Sequence, residues 1–149
     1  MIRLAMEDDL DRLVELTRHF LASSVYGALF PFNPVAVEGL ILTVLHVGAI
    51  FVAEVDGRVE GMLAVAVLRH QVSGELIAEE IAWWVEPGHR HRTLGPRLLG
   101  CLEDWAVRQR AIMVKMVSPT GDTDLEAFYR RLGYVAVETA FVKRLHKVS

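Results

Sequence analysis

Apolar residues recur along this chain with two different periods. From Glu7 to Ala22, the residues Leu10, Leu13, Val14, Leu16, Phe20 and Leu21 share one helical stripe. The acids Glu7, Asp8 and Asp9 stand where a helix N-terminus is positive. Asn33-Pro34 joins an N-cap residue to a proline suited to the first helical position, and predicts a second helix running to about Val47, before Gly48. A third helix is predicted from Gly95 to about Gln109, with Leu98, Leu99, Leu102, Trp105 and Ala106 on its core side. The run TDLEAFYRRLG reads as a fourth, closed by Gly133 in the left-handed position.

The other period is that of strands. Ile2–Leu4 is a short candidate. In AIFVAEVDGRVEGMLAVAVL, two β-branched apolar runs flank Asp56-Gly57, a hairpin signal. A turn near Ser73-Gly74 leads into ELIAEEIAWWVEP, a strand that stops at Pro87. AIMVKMV is a short buried strand, and YVAVETAFVKRL reads as two closing strands. The predicted order is β-α-α-β-β-β-α-β-α-β-β. This is an α/β fold whose antiparallel meander feeds a right-handed β-α-β crossover. The ligand site expected of such a sheet lies at the carboxyl end of the crossover's first strand, at Pro87–Gly95.

Composition narrows the classes. The 149 residues suffice for one domain, 1–149, and not for two of ordinary size. A 52% hydrophobic content excludes a disordered chain. The net charge of −3 argues against a general nucleic-acid binder, so the basic cluster HRHR is a local feature. A single cysteine, Cys101, permits no internal disulfide and no zinc set, which fits a reducing compartment. It falls on the core side of its helix and reads as a small apolar residue. The six histidines show no metal-ligand spacing, so no metal is expected. The N-terminus lacks a secretory h-region, and the longest apolar stretch, Gly39 to Ala53, is too short to span a bilayer. A soluble cytoplasmic protein is expected.

The candidate chemistry centres on PGHRHRTLGPRLL. A loop that leaves a strand and opens a helix presents unpaired N–H groups and a positive dipole end, which together make an anion site. Arg90 and Arg92 add charge, and the Thr93 hydroxyl can donate to a phosphate oxygen. The plain alternative is a basic turn facing water.

RHRTLG followed by PRLLGCLEDWA resembles the acyl-CoA pyrophosphate loop of the GNAT superfamily of N-acetyltransferases, Arg/Gln-x-x-Gly-x-Gly/Ala. Arg90 matches its first position and Gly95 its last. WWVEP is similar to the family's fourth strand, and DTDLEAFYRRLGY to its last helix. AWWV, the preceding Glu80 and ETAFVKRL most resemble a small phage and proteobacterial group. The resemblance covers Ile2–Leu145. Two departures stand out. Thr93 replaces the first glycine, and its Cβ crowds a pyrophosphate site. Pro96 replaces a residue whose N–H faces phosphate. A hydrogen bond lost to a charged group is worth roughly 1.5–3 kcal/mol, so cofactor binding is expected to be weaker than the family norm unless Arg90, Arg92 and Thr93 compensate.

The resemblance implies an N-acetyltransferase that moves an acetyl group from acetyl-CoA, its co-substrate, directly to a primary amine. An alkylammonium has no lone pair, so a base must first deprotonate it. Glu79 and Glu80 are the candidates; they point to opposite faces of a regular strand, so only one faces the cleft. The resemblance favours Glu80, and a bulge in this strand would change which one points inward. Tyr129 is implied as the group that protonates the departing thiolate; its bland alternative is core packing with Phe128. Cofactor contacts are implied at Trp84, Val85, Arg90, His91, Arg92, Thr93, Leu94, Gly95, Pro96, Asp122 and Tyr129. Aspartate at 122 stands where the family often has asparagine, and an ionised carboxylate only accepts. One of Trp83 and Trp84 is expected in the core, the other at the acceptor pocket. Ser23–Asn33, with Tyr26, Phe30 and Phe32, is the expected acceptor-side lid. The partners implied are a small-molecule or protein amine, no membrane, and a homodimer by analogy with the family. Two alternatives remain open: a degenerate GNAT domain serving as a CoA-binding or interaction module, and an acyltransferase acting on nucleic-acid bases.

Overall fold

The computed structural model describes residues 1–90 and 93–146. Five strands form one sheet in the order β1-β2-β3-β4-β5: β1 Ile2–Leu4, β2 Gly48–Val55, β3 Arg58–Arg69, β4 Leu76–Val85 and β5 Met113–Lys115. All neighbours are antiparallel except β4 and β5, which are parallel. Four helices cover it: α1 Leu10–Ser23, α2 Pro34–Val47, α3 Leu94–Arg108 and α4 Thr123–Arg131. The mixed, mostly antiparallel sheet flanked by helices is the architecture that the periodicity predicts.

Local signals act on residues close in sequence, two of them as expected and the third, Asp122, as a cap not assigned from the sequence. The Asn33 side chain accepts from Ala36 N–H, with Pro34 in the first turn of α2. Asp56 (φ 50°) and Gly57 (φ 77°) form the left-handed pair that a tight hairpin between β2 and β3 requires. The Asp122 carboxylate caps α4 by accepting from Leu125 N–H, a contact worth about 1 kcal/mol.

Each face of the sheet carries its own core. On one face, Leu13, Leu16, Ile41 and Val44 from α1 and α2 pack on Ile50, Val52, Met62 and Trp84. On the other, Leu94, Leu98, Leu99 and Leu102 from α3 pack with Tyr129 of α4 on Phe51, Leu63, Val65 and Val85. Cys101 is half-buried against this second core, as a small apolar residue would be.

Two irregularities position the site. The β3–β4 register shifts after Ala64: Ala64 pairs with Ala82 and Val65 with Glu80, so Ile81 is an extra, bulged residue. And β4 pairs with β5 only from Ile77 to Glu79, leaving β4 beyond Glu80 without a neighbour on that edge.

The two closing strands expected from YVAVETAFVKRL are not formed. Residues 134–146 carry no ladder, and Val135, Val137, Phe141, Val142 and Leu145 are all exposed. The cause is general: β-propensity expresses fit to a half-buried pleated surface, and within this chain these side chains have nothing to bury against. Tyr134 packs on the Tyr129 ring; beyond it the segment touches the body through Glu138, which pairs with Lys115 at 2.6 Å, and through Arg144, which donates to Leu29 O.

Candidate active site

The bulge at Ile81 decides where the β4 side chains point. Ala78 and Val85 belong to the α3/α4 core, with Trp83 packed against it. Ala82 and Trp84 belong to the α1/α2 core, with Ile81 beside them. Alternation from Ala78 puts Glu79 on the α1/α2 face and Glu80 on the α3/α4 face. Glu79 lies 3.7 Å from Lys115, and its carboxylate is thereby partnered.

Glu80 and Tyr129 meet at a single residue of the connection between β5 and α4. Val117 N–H donates to Glu80 Oε2 at 2.9 Å, and the Tyr129 hydroxyl donates to Val117 O at 2.9 Å. Burial pushes the Glu80 carboxyl up to about 7, and the Val117 hydrogen bond offsets only part of that shift. Burial raises the Tyr129 phenol as well, and the nearby Glu80 charge adds to it, so the phenol keeps its proton across the neutral range. Its ring lies among Trp83, Phe128 and Tyr134, with centroids 6.2, 6.1 and 5.4 Å away. Tyr129 is therefore both a packed aromatic and a donor.

The open edge of β4 follows from one hydrogen bond. Glu86 N–H points to Glu60 O of β3 at 2.8 Å. Alternation therefore turns the backbone groups of Trp84 toward β3 and those of Trp83 and Val85 toward the open side. Val85 is on that edge as expected, and Trp83 stands there in place of Trp84. Trp84 instead buries its ring on the α1 side, with the Arg90 guanidinium 4.3 Å above it. Arg90 Nε donates to Val85 O at 2.8 Å, so this arginine folds back on the strand's end. His91 and Arg92 lie outside the described residues.

α3 begins at Leu94, with no capping bond from the Thr93 side chain. The N–H groups of Leu94 and Gly95 thus point out of the helix end, where the dipole is positive. Pro96 contributes no donor; Arg97 N–H already closes on Thr93 O at 3.1 Å. Gly95 sits against Trp83, and an added Cβ would lie 3.4 Å from that ring. Asp122 is occupied as the α4 cap. On the opposite face, the Ser23–Asn33 connection holds a short helical turn at Val25–Ala28, stacks Tyr26 on Phe30 and places Arg18 over the Phe32 ring.

Two participants were not legible in the sequence: Val117, which acts through its backbone, and the Trp83 edge. Neither has a side-chain signature, and the second depends on the bulge.

The acetyltransferase (GNAT) family profile matches residues 22–134. The chain belongs to the GNAT family of acetyltransferases, enzymes that use acetyl-CoA as acetyl donor. Solved structures agree on the fold. An aminoglycoside N-acetyltransferase AAC(6')-Iy in complex with CoA superposes with a TM-score of 0.79 at 17% identity, over 97% of this chain and 93% of that one. The ribosomal-protein-alanine N-acetyltransferase of Brucella melitensis gives 0.77 at 20% identity, over 97% and 98%. The apo aminoglycoside 6'-N-acetyltransferase AAC(6')-IG of Acinetobacter haemolyticus gives 0.75 at 18% identity, over 100% and 99%. No curated protein matches the chain significantly by sequence.

Proposed function

We propose that this protein acetylates a primary amine, with Glu80 as base and Tyr129 as acid. The observation that carries the reading is the pairing of Glu80 and Tyr129 across Val117, beside the unpaired edge of β4. The site suits a long ligand with amides at one end and phosphates at the other. Trp83 and Val85 would meet the amides along the open edge, and Leu94 and Gly95 N–H would meet the phosphates. Bound there, acetyl-CoA supplies an activated acetyl thioester.

The protein's own groups move the protons. The ionised Glu80 carboxylate takes one from the acceptor ammonium, freeing the lone pair that forms the new C–N bond. As the C–S bond breaks, the Tyr129 hydroxyl would give its proton to the leaving thiolate, and the second proton, shed by the new amide nitrogen, would restore the phenol. A base with its pKa near 7 is half ionised at neutral pH, so it is available without being too weak to accept a proton. The Glu79 carboxylate is held by Lys115 on the other face and serves there as an ion-pair partner.

The acceptor is a small amine or an exposed protein amine. Neighbours that are named for aminoglycosides and for ribosomal-protein alanine support both. The reading places the reaction in the cytoplasm; among the described residues no helix is long and apolar enough to cross a membrane. Calorimetric titration with acetyl-CoA, CoA and dephospho-CoA tests the cofactor half. Micromolar binding is expected, with dephospho-CoA weaker. No binding at millimolar concentrations would turn the reading to a domain that keeps the fold without the reaction.

The reading includes a homodimer, supported by the exposed apolar side chains of Val135, Val137, Phe141, Val142 and Leu145, in a segment that joins no ladder. Sedimentation should give a dimer that Val137→Glu weakens or dissociates; a monomeric wild type overturns it.

A further inference from the structure

Seven charged or titratable side chains gather away from Glu80 and Tyr129, at the carboxyl end of β4. Arg12 lies 3.2 Å from Glu60 and 3.6 Å from Glu86. His19 Nδ1 is 2.6 Å from Glu86 Oε1, and His89 Nε2 is 3.9 Å from Glu60. Arg58 and Glu15 complete the group at its rim. A cleft of about 320 Å³ opens among them. Arg12, Glu60 and Glu86 keep only 16%, 13% and 16% of their side-chain surface exposed. Charges this covered lose hydration, and chains retain them only when they are paired. The proposed chemistry uses none of them.

Their placement says what they hold. Glu86 is the residue between β4 and the short helical turn Pro87–His89, where the connection to α3 begins. The side chains around this turn grip the body from both sides of it: Glu86 reaches α1 through His19 and Arg12, His89 reaches Glu60, and Arg90 reaches Val85 O and the Trp84 ring. Arg12 in turn fastens α1 to β3 by donating to Val59 O at 2.8 Å. Glu60 is available to this group because it is the extra residue of a second bulge, between Ala53–Glu54 of β2 and Val59–Gly61 of β3. With its side chains turned inward, the turn leaves Gly88 open to solvent on the outside.

Resting on the acetyltransferase reading, we propose that His19, Arg12 and Glu86 are positioning residues that clamp the β4-end turn to α1, and so set the cofactor-binding connection in its binding geometry. Preorganisation of this kind acts on affinity, because a loop fixed before binding has less freedom to lose on binding. The acetyl-transfer step itself is untouched.

The test is acetyl-CoA affinity by calorimetry, alongside steady-state kinetics. His19→Ala and Glu86→Gln should weaken acetyl-CoA binding about 5- to 20-fold, while kcat at saturating cofactor and the KM for the acceptor stay within about twofold. His19→Gln keeps an N–H donor toward Glu86 and should restore most of the affinity. Arg130→Ala, which breaks an exposed pair on α4, should leave it unchanged. Variants that bind acetyl-CoA like the wild type but melt earlier would overturn the proposal, leaving the cluster a stabilising one. A wild type that fails to bind acetyl-CoA would instead overturn the acetyltransferase reading, and this inference with it.

Discussion

Replacing Glu80 by glutamine should lower kcat by about 10²- to 10³-fold, within the range a positioned general base supplies. Glutamine matches the shape of glutamate and can still accept from Val117 N–H, so cofactor affinity should hold. The pH dependence is the sharper readout. The base form is the ionised one, so wild-type turnover should rise through an ionisation near pH 7, the value to which burial lifts this carboxyl. In Glu80→Gln that limb should vanish. A variant that keeps the wild-type profile would move suspicion to another base.

The same shift has a signature in stability, opposite in sign to that of a paired surface carboxylate. An unfolded glutamate ionises near 4.5 and the folded one near 7. Between those values the native state holds the extra proton, so stability falls as pH rises through the window and is lowest above it. At pH 8 the native protein carries a half-buried carboxylate with no cationic partner among the described residues. Glu80→Gln should therefore melt at a higher temperature than wild type at pH 8, with the gain disappearing below about pH 4.5. The variant loses activity and gains stability, which separates it from a folding defect.

The second large effect is expected from Tyr129→Phe. The change deletes one oxygen from a ring held among Trp83, Phe128 and Tyr134, so packing should survive. What goes is the donor proposed for the leaving thiolate, and the hydrogen bond to Val117 O. Turnover should drop by about 10²-fold, and acetyl-CoA affinity by less than threefold. Because the phenol is held above its usual range, the wild-type profile should show no falling alkaline limb from this group up to pH 9. A variant with unchanged turnover would reduce Tyr129 to a core aromatic. Glu80→Gln and Tyr129→Phe should also be non-additive, since both side chains act on the same Val117 peptide.

What the sequence tells about this fold depends on distance along the chain. Asn33-Pro34, Asp56-Gly57 and Gly133 act on neighbours within a few residues, and the structure has a helix start, a turn and a helix end at them. The basic loop between a strand and an apolar helix was legible for the same reason. The cluster at Glu86 was not: Glu86 meets His19 and Arg12, 67 and 74 positions away, and no local pattern announces such pairs. The closing strands were misread because the alternation in YVAVETAFVKRL states only what a strand would look like if a surface came to meet it. Arg90 was read as a phosphate ligand from its position; its stacking on Trp84 needed coordinates.

Ile81 gives β4 an odd parity across its own middle. In an uninterrupted strand, positions 80 and 83 lie on opposite faces; here one supernumerary residue puts the Glu80 carboxylate and the Trp83 ring on the same one. Deleting Ile81 would remove only the surplus residue and leave the faces as they are: Glu80, Ala82 and Trp83 would then alternate opposite Val65, Ala64 and Leu63. Pairing Ile81 into the ladder would do the opposite: either Glu80 would leave Tyr129, or Trp83 and Val85 would turn their side chains into the α1/α2 core and carry their amides away from the open edge. In this strand the coded quantity is which residue goes unpaired, and a register slip that pairs Ile81 is a more drastic change than the loss of Ile81 itself.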